Sequence, residues 1–187
     1  MQRRAKCFRS LISVFFALFS IWILLQFLAP IALPEGRVND LSGLVAVSDN
    51  DAIFEDMSFP WNFVYSAGDR LCHQKAERSL FIHGNQMPFC VRCTAIWLGL
   101  AVGLGFMVFY RIQLNEKFLF AMILGIVPIG IDGIGQLFGF WESTNVIRLM
   151  TGLLAGIVVG VAIGVIIDEV RAVHLLKRIK LFQKNKT

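Results

Sequence analysis

Charge is scarce in this chain: 17 % of its 187 residues are Asp, Glu, Lys or Arg, against 56 % hydrophobic residues. Soluble domains carry nearer a quarter charged residues, so a conventional water-facing domain is excluded, and the mean hydropathy of +0.66 agrees. A basic patch interleaved with aromatics is also missing. The net charge of +5 comes from residues that flank apolar runs, which argues for membrane orientation and against nucleic acid as a partner. The apolar segment behind the basic start has no small-x-small cleavage site and is too long for a signal-peptide core, so an uncleaved first span is expected. No longer segment is duplicated, which leaves an inverted-repeat transporter without support.

What is present is a series of apolar runs near the ~20 residues that a spanning helix needs. The first is Leu11–Ala32, behind Arg3, Arg4, Lys6 and Arg9; others cover 94–110, 118–138 and 146–167. Pro128 is expected to kink the third, because proline removes a backbone donor. The fold class expected is all-α: a polytopic membrane protein of four transmembrane helices with a Cys/His-containing loop. The chain divides into a basic segment with the first span (1–33), an acidic and aromatic loop (34–69), a core membrane domain (70–167) and a basic tail (168–187). One or two short helices are expected in the loop, whose aromatics favour the headgroup level. Cys7 reads as a juxtamembrane cysteine, with palmitoylation as the alternative, and His174 as a solvated or interfacial residue.

Twelve of the eighteen Lys and Arg fall in the N-terminus, the 111–117 turn and the tail. The positive-inside rule then puts both termini in the cytoplasm of a multi-pass cell-membrane protein, with the Cys/His loop outside. Gly152, Gly156, Gly160 and Gly164 recur every four residues, and Gly99 and Gly103 repeat the spacing. Such faces let helices approach closely; they serve either packing inside the bundle or a homo-oligomer seam.

Residues 70–94 hold three of the four cysteines and two of the three histidines: Cys72, His73, His83, Cys90 and Cys93. Cys90 and Cys93 form a C-x-x-C pair, and Cys72 with His73 lies upstream; three thiolates and an imidazole would complete a tetrahedral zinc site. His83 is the alternative ligand. Two other readings fit the same residues: a structural disulfide on an oxidising side, which strands the third cysteine, and a thiol redox pair at Cys90 and Cys93.

A second polar group lies in the third and fourth runs. Asp132 and Gln136 share one helix face, and Asn145, Arg148 and Thr151 form a similar stripe. Ionisable residues in a span mark a site or a buried pair. One reading is an Asp132–Arg148 ion pair that pins two helices. The other is a pocket for a phosphate, carboxylate or lipid headgroup, with Asp132, Gln136, Asn145 and Arg148 as candidate catalytic or binding residues.

Cys72-His73-Gln74, Arg78-Ser79, Cys90-x-Arg92-Cys93-Thr94, Asp132-Gly133-x-x-Gln136 and Ser143-Thr144-Asn145-x-x-Arg148-x-x-Thr151-Gly152 resemble, in order, the motifs of the predicted membrane-protein family called domain of unknown function 2085. The resemblance implies an integral membrane protein whose Cys/His residues form a site, and favours His73 over His83 as ligand. It implies no reaction. Ala95 departs from the family's glycine and limits how closely the backbone there can approach a neighbour. The reading that follows is a zinc site beside a polar pocket, usable by a membrane-embedded enzyme with the metal as Lewis acid. A saturated Cys₃His site leaves no open position, so catalysis needs one ligand absent or exchangeable. A membrane thiol oxidoreductase and a scaffold with a structural zinc are the alternatives.

Overall fold

The computed structural model describes the backbone of residues 2–41 and 45–184 and the side chains of 11–41 and 45–173; Cys7 and the side chain of His174 lie outside the described residues. Among the described residues, four helices are long and apolar enough to cross a membrane: α1 (Gln2–Ala32), α4 (Val91–Phe109), α5 (Glu116–Leu137) and α6 (Asn145–Lys184). Between α1 and α4 come α2 (Asp51–Phe54), α3 (Trp61–Leu71), a 3₁₀ turn at Ala76–Arg78 and a two-residue hairpin of β1 (Phe81–Ile82) and β2 (Asn85–Gln86). The hairpin is antiparallel, with Phe81 opposite Gln86 and Ile82 opposite Asn85.

Two boundaries differ from those expected. Helix α4 starts three residues before position 94, because Cys90 is its N-cap and the C-x-x-C pair forms its first turn. Helix α6 runs 40 residues, about 60 Å at ~1.5 Å per residue. Its basic end contains neither Gly nor Pro, and Leu, Lys, Arg and Gln are good helix formers. Pro128 is accommodated inside α5, as prolines within spans often are.

The glycine faces are used inside the chain. A methyl on Gly99 would strike the backbone of Leu153 and Gly156, one on Gly103 that of Ile157 and Gly160, and one on Gly160 that of Leu100 and Gly103. Helices α4 and α6 therefore touch backbone to backbone, which maximises van der Waals contact where lipid offers no hydrophobic driving force. At the top of this seam Gly152 faces the Ala95 Cβ. The glycine opposite supplies the room that the Ala95 methyl takes.

Residues 33–41 and 45–90 form a folded cap. Val38, Leu41, Phe54, Met57, Val64 and Tyr65 close a buried cluster over Ala29 of α1 and Leu33 just beyond it. Asn85 ties it down through two bonds of 2.9 Å from its side-chain amide to the Pro30 and Pro34 carbonyls. The Pro30 carbonyl would ordinarily receive the N–H four residues on, and Pro34 has none. Gln86 does the same for the cap: its Oε1 accepts from Leu41 N at 2.8 Å, and its Nε2 donates to the Gln74 carbonyl and, at 3.1 Å, to Ser79 Oγ. Cap and α5–α6 linker (138–144) lie at the same end of the bundle, joined by Arg78 and Glu142 at 3.2 Å.

Candidate functional site

Two helix ends meet at the thiols. Cys72 is the C-cap of α3, held by its N–H on the Gly68 carbonyl at 2.9 Å. Gly68 lies against the Pro88 backbone so closely that a Cβ there would collide with the Pro88 carbonyl. That contact sets Cys72 beside the start of α4, where the Cys90 N–H donates to the Cys72 sulfur at 3.3 Å. Cys93, three residues after Cys90, lies on the same helix face. The three sulfurs all lie within 4.8 Å of one another, with Cys72 buried and the other two half-buried. Trp22 of α1 packs edge-on against Phe89, the residue before Cys90, and against Trp97 of α4.

Electrostatics ready one thiol for ionisation and hold another protonated. Hydrogen bonding from Cys72, then from Cys93, holds the Cys90 thiol far below the usual range, and the positive end of a helix dipole adds to such an effect. The same shared hydrogen bond with Cys90, reinforced by burial, pushes Cys72 up to about 11. All three are unbridged thiols. Three sulfurs around zinc at ~2.3 Å stand about 3.8 Å apart in a tetrahedron, so the observed spacing needs little contraction to hold a metal ion.

His73 and His83 are exposed, and the structure brings neither into the sulfur group. Cys72 is extended, at φ −143° and ψ 150°, and successive side chains of an extended chain point to opposite sides. Directing the thiol inward therefore turns the adjacent imidazole outward. Gln74 is buried again and donates to the Pro88 carbonyl at 2.8 Å, bracing the turn into the cluster.

The second polar group is present but wired differently from the expected Asp132–Arg148 pair. Asp132, 4 % exposed, forms a short ion pair with Arg92, one of the two residues between Cys90 and Cys93. Its carboxylate also accepts from Gln136 Nε2 at 3.3 Å and Trp141 Nε1 at 3.4 Å. Arg148, equally buried, donates to Asn145 Oδ1 at 3.0 Å and Gln136 Oε1 at 3.4 Å, and stands 3.8 Å from the Glu142 carboxylate. Gln136 thus relays between the aspartate and the second arginine. Arg92, which lies within the C-x-x-C, is the residue that ties this network to the cysteine-bearing start of α4.

Trp141 and Glu142 of that network were not singled out from sequence, and Arg78 and Arg92 entered only as motif residues of the resemblance, with no role in the polar group. For Arg92 a signal existed. In a C-x-x-C at a helix start, the intervening residues necessarily face away from the cysteines, and a charged one so close to a membrane needs a partner.

Four membrane-spanning helices, a folded cap and a three-cysteine cluster define a polytopic membrane protein with a candidate metal centre at one end of its bundle. A family model described as a predicted membrane protein, DUF2085, matches residues 72–162, from the first cysteine of the cluster to beyond Arg148. An uncharacterized protein of Methanothermobacter thermautotrophicus is 36 % identical over 83 residues, covering 44 % of this chain and 75 % of that protein. Another, of Methanocaldococcus jannaschii, is 35 % identical over 102 residues, covering 50 % of this chain and 64 % of that protein. The chain belongs to the DUF2085 family. No solved structure matches it.

Proposed function

We propose that Cys72, Cys90 and Cys93 hold a zinc ion through three thiolates, on the outer face of the cell membrane, in a protein whose termini both lie in the cytoplasm. The observation that carries this reading is the convergence of three unbridged sulfurs from two helix ends. Three soft ligands in that arrangement suit zinc, and an odd number of cysteines suits a metal better than a disulfide. Three protein ligands leave the fourth tetrahedral position to a group from outside, and a metal so held supplies Lewis acidity to that group. Asp132, Gln136, Asn145 and Arg148, with Arg92 as the link, then form the part of the site that receives a polar or lipid headgroup.

Replacing the metal by cobalt tests the reading. Purified protein loaded with Co²⁺ is expected to show intense sulfur-to-metal charge-transfer absorption that falls in Cys72→Ser and persists in His73→Ala. Absorption that survives loss of a cysteine would overturn the three-thiolate set. The depressed Cys90 thiol favours a second reading, a thiol oxidoreductase working through Cys90 and Cys93. Protein purified without metal, with those two cysteines bridged and reducible, would establish it instead.

A further inference from the structure

A small cleft of about 290 Å³, lined by Arg78, Gln136, Gly139, Trp141 and Glu142, opens beside the arginine network. Arg148 is its most constrained neighbour. Its side chain is 4 % exposed, and its one carboxylate partner, Glu142, stands at 3.8 Å and is 68 % exposed. Asp132 does not neutralise Arg148, because Arg92, Gln136 and Trp141 engage both its oxygens. The same Glu142 oxygen accepts from Arg78 at 3.2 Å. The buried Nε atoms of Arg78 and Arg92 make no hydrogen bond among the described residues. A buried guanidinium held against a single distant, solvated carboxylate is poorly compensated.

We infer that the cleft at Arg78, with Arg148 behind its lining residues Gln136 and Glu142, is a phosphate-recognition site in which the Glu142 carboxylate sits as an exchangeable internal anion. The inference rests on the headgroup pocket of the reading above, though not on its metal. A phosphate offers several oxygens to guanidiniums arriving from different helices, where one carboxylate oxygen now bridges them, and arginine forks match that geometry. Glu142 is mostly solvated, so leaving the cleft costs it little. Phe138, Phe140 and Trp141 are exposed around the mouth, at the ends of α5 and α6. Aromatics at span ends sit at headgroup level, so a phosphate entering here does so from a lipid headgroup or from the adjoining water.

The full chain in detergent, with zinc assayed on every sample, is dialysed to equilibrium against radiolabelled inorganic phosphate. Saturable binding is expected, roughly two- to five-fold tighter in Glu142→Gln, which removes the competing ion pair, and at least about ten-fold weaker in Arg148→Ala. Arg78→Gln, at a half-exposed position, should weaken binding even if loss of Arg148 prevents folding. Displacement of the label by short-chain phosphatidic acid but not by the matching diacylglycerol assigns the site to lipid phosphate; displacement by neither assigns it to free phosphate. Absence of saturable binding in protein that retains its zinc, or Glu142→Gln binding no tighter than the parent, overturns the inference. Intact phosphate binding without zinc would count against the metal reading alone.

Discussion

Arg92 lies between two cysteines in sequence, yet its side chain leaves them for Asp132 on another helix. The pair is more than a helix pin, since any movement of Asp132 reaches the first turn of α4 and with it Cys90 and Cys93. Arg92→Ala should leave an almost buried carboxylate without its cation. Because Arg92 is 24 % exposed, the expected loss is about 3 kcal/mol, the low end for a broken buried pair, read from thermal unfolding in detergent. Recovery of stability in Arg92→Ala/Asp132→Asn would confirm that the cost is the stranded charge. No loss in the single variant would contradict the pairing. Asn85 answers for two proline carbonyls and the Val38 N–H, so Asn85→Ala should cost about 2–3 kcal/mol through unsatisfied backbone groups. A cost below about 0.5 kcal/mol would mean that water replaces it. Metal uptake should also depend on pH. Cys90 ionises readily, but Cys72 keeps its proton up to about 11 because of the hydrogen bond it shares with Cys90. The metal must displace that proton, so affinity should rise as pH rises below that value and protons should be released on binding. An affinity flat between pH 6 and 9 would be the contrary result.

At the scale of elements, the site exists because α3 ends where α4 begins, and Gly68 permits that approach by lying on the Pro88 backbone. Gly68→Ala must push α3 away from rigid backbone, at about 1–3 kcal/mol, and should lower metal occupancy more than a substitution of equal cost elsewhere, such as Gly103→Ala in the α4–α6 seam. Equal occupancy in the two variants would show that the α3 approach does not set the site. Much of this was legible in the sequence. Spans announce themselves by composition, and the C-x-x-C was legible as a pair, though not its place in the first turn of α4, since the span was expected only from residue 94. Spacing within a helix also paired Asp132 with Gln136, and Asn145 with Arg148. Rotation between helices was not legible, because nothing in a single sequence says which face of α4 meets α5; Arg92 rather than Arg148 therefore turned out to be the partner of Asp132. Nor was the outward turn of His73, which depends on the extended backbone at Cys72. Arg78 and Glu142 stand 64 residues apart, and only the folded cap brings them together.

For the whole molecule, one end of a four-helix bundle carries the cap, the sulfur cluster and the arginine network. The opposite end has the 110–115 link and the long basic extension of α6. The distribution of Lys and Arg leads to the expectation that the basic end is cytoplasmic. Reporter fusions after residues 114 and 187 should both read cytoplasmic, and one inserted at the exposed Gly36–Arg37 turn should read external; the reverse pattern would put the cysteines inside and revise the environment proposed for them. The central claim is the metal, and its most direct test is zinc content together with a free-thiol count on detergent-purified full-length protein, beside Cys90→Ser and His73→Ala. About one zinc per chain, lost in Cys90→Ser and retained in His73→Ala, is the result the three-thiolate centre predicts. Protein without metal, in which two of Cys72, Cys90 and Cys93 are joined by a reducible disulfide, would contradict it.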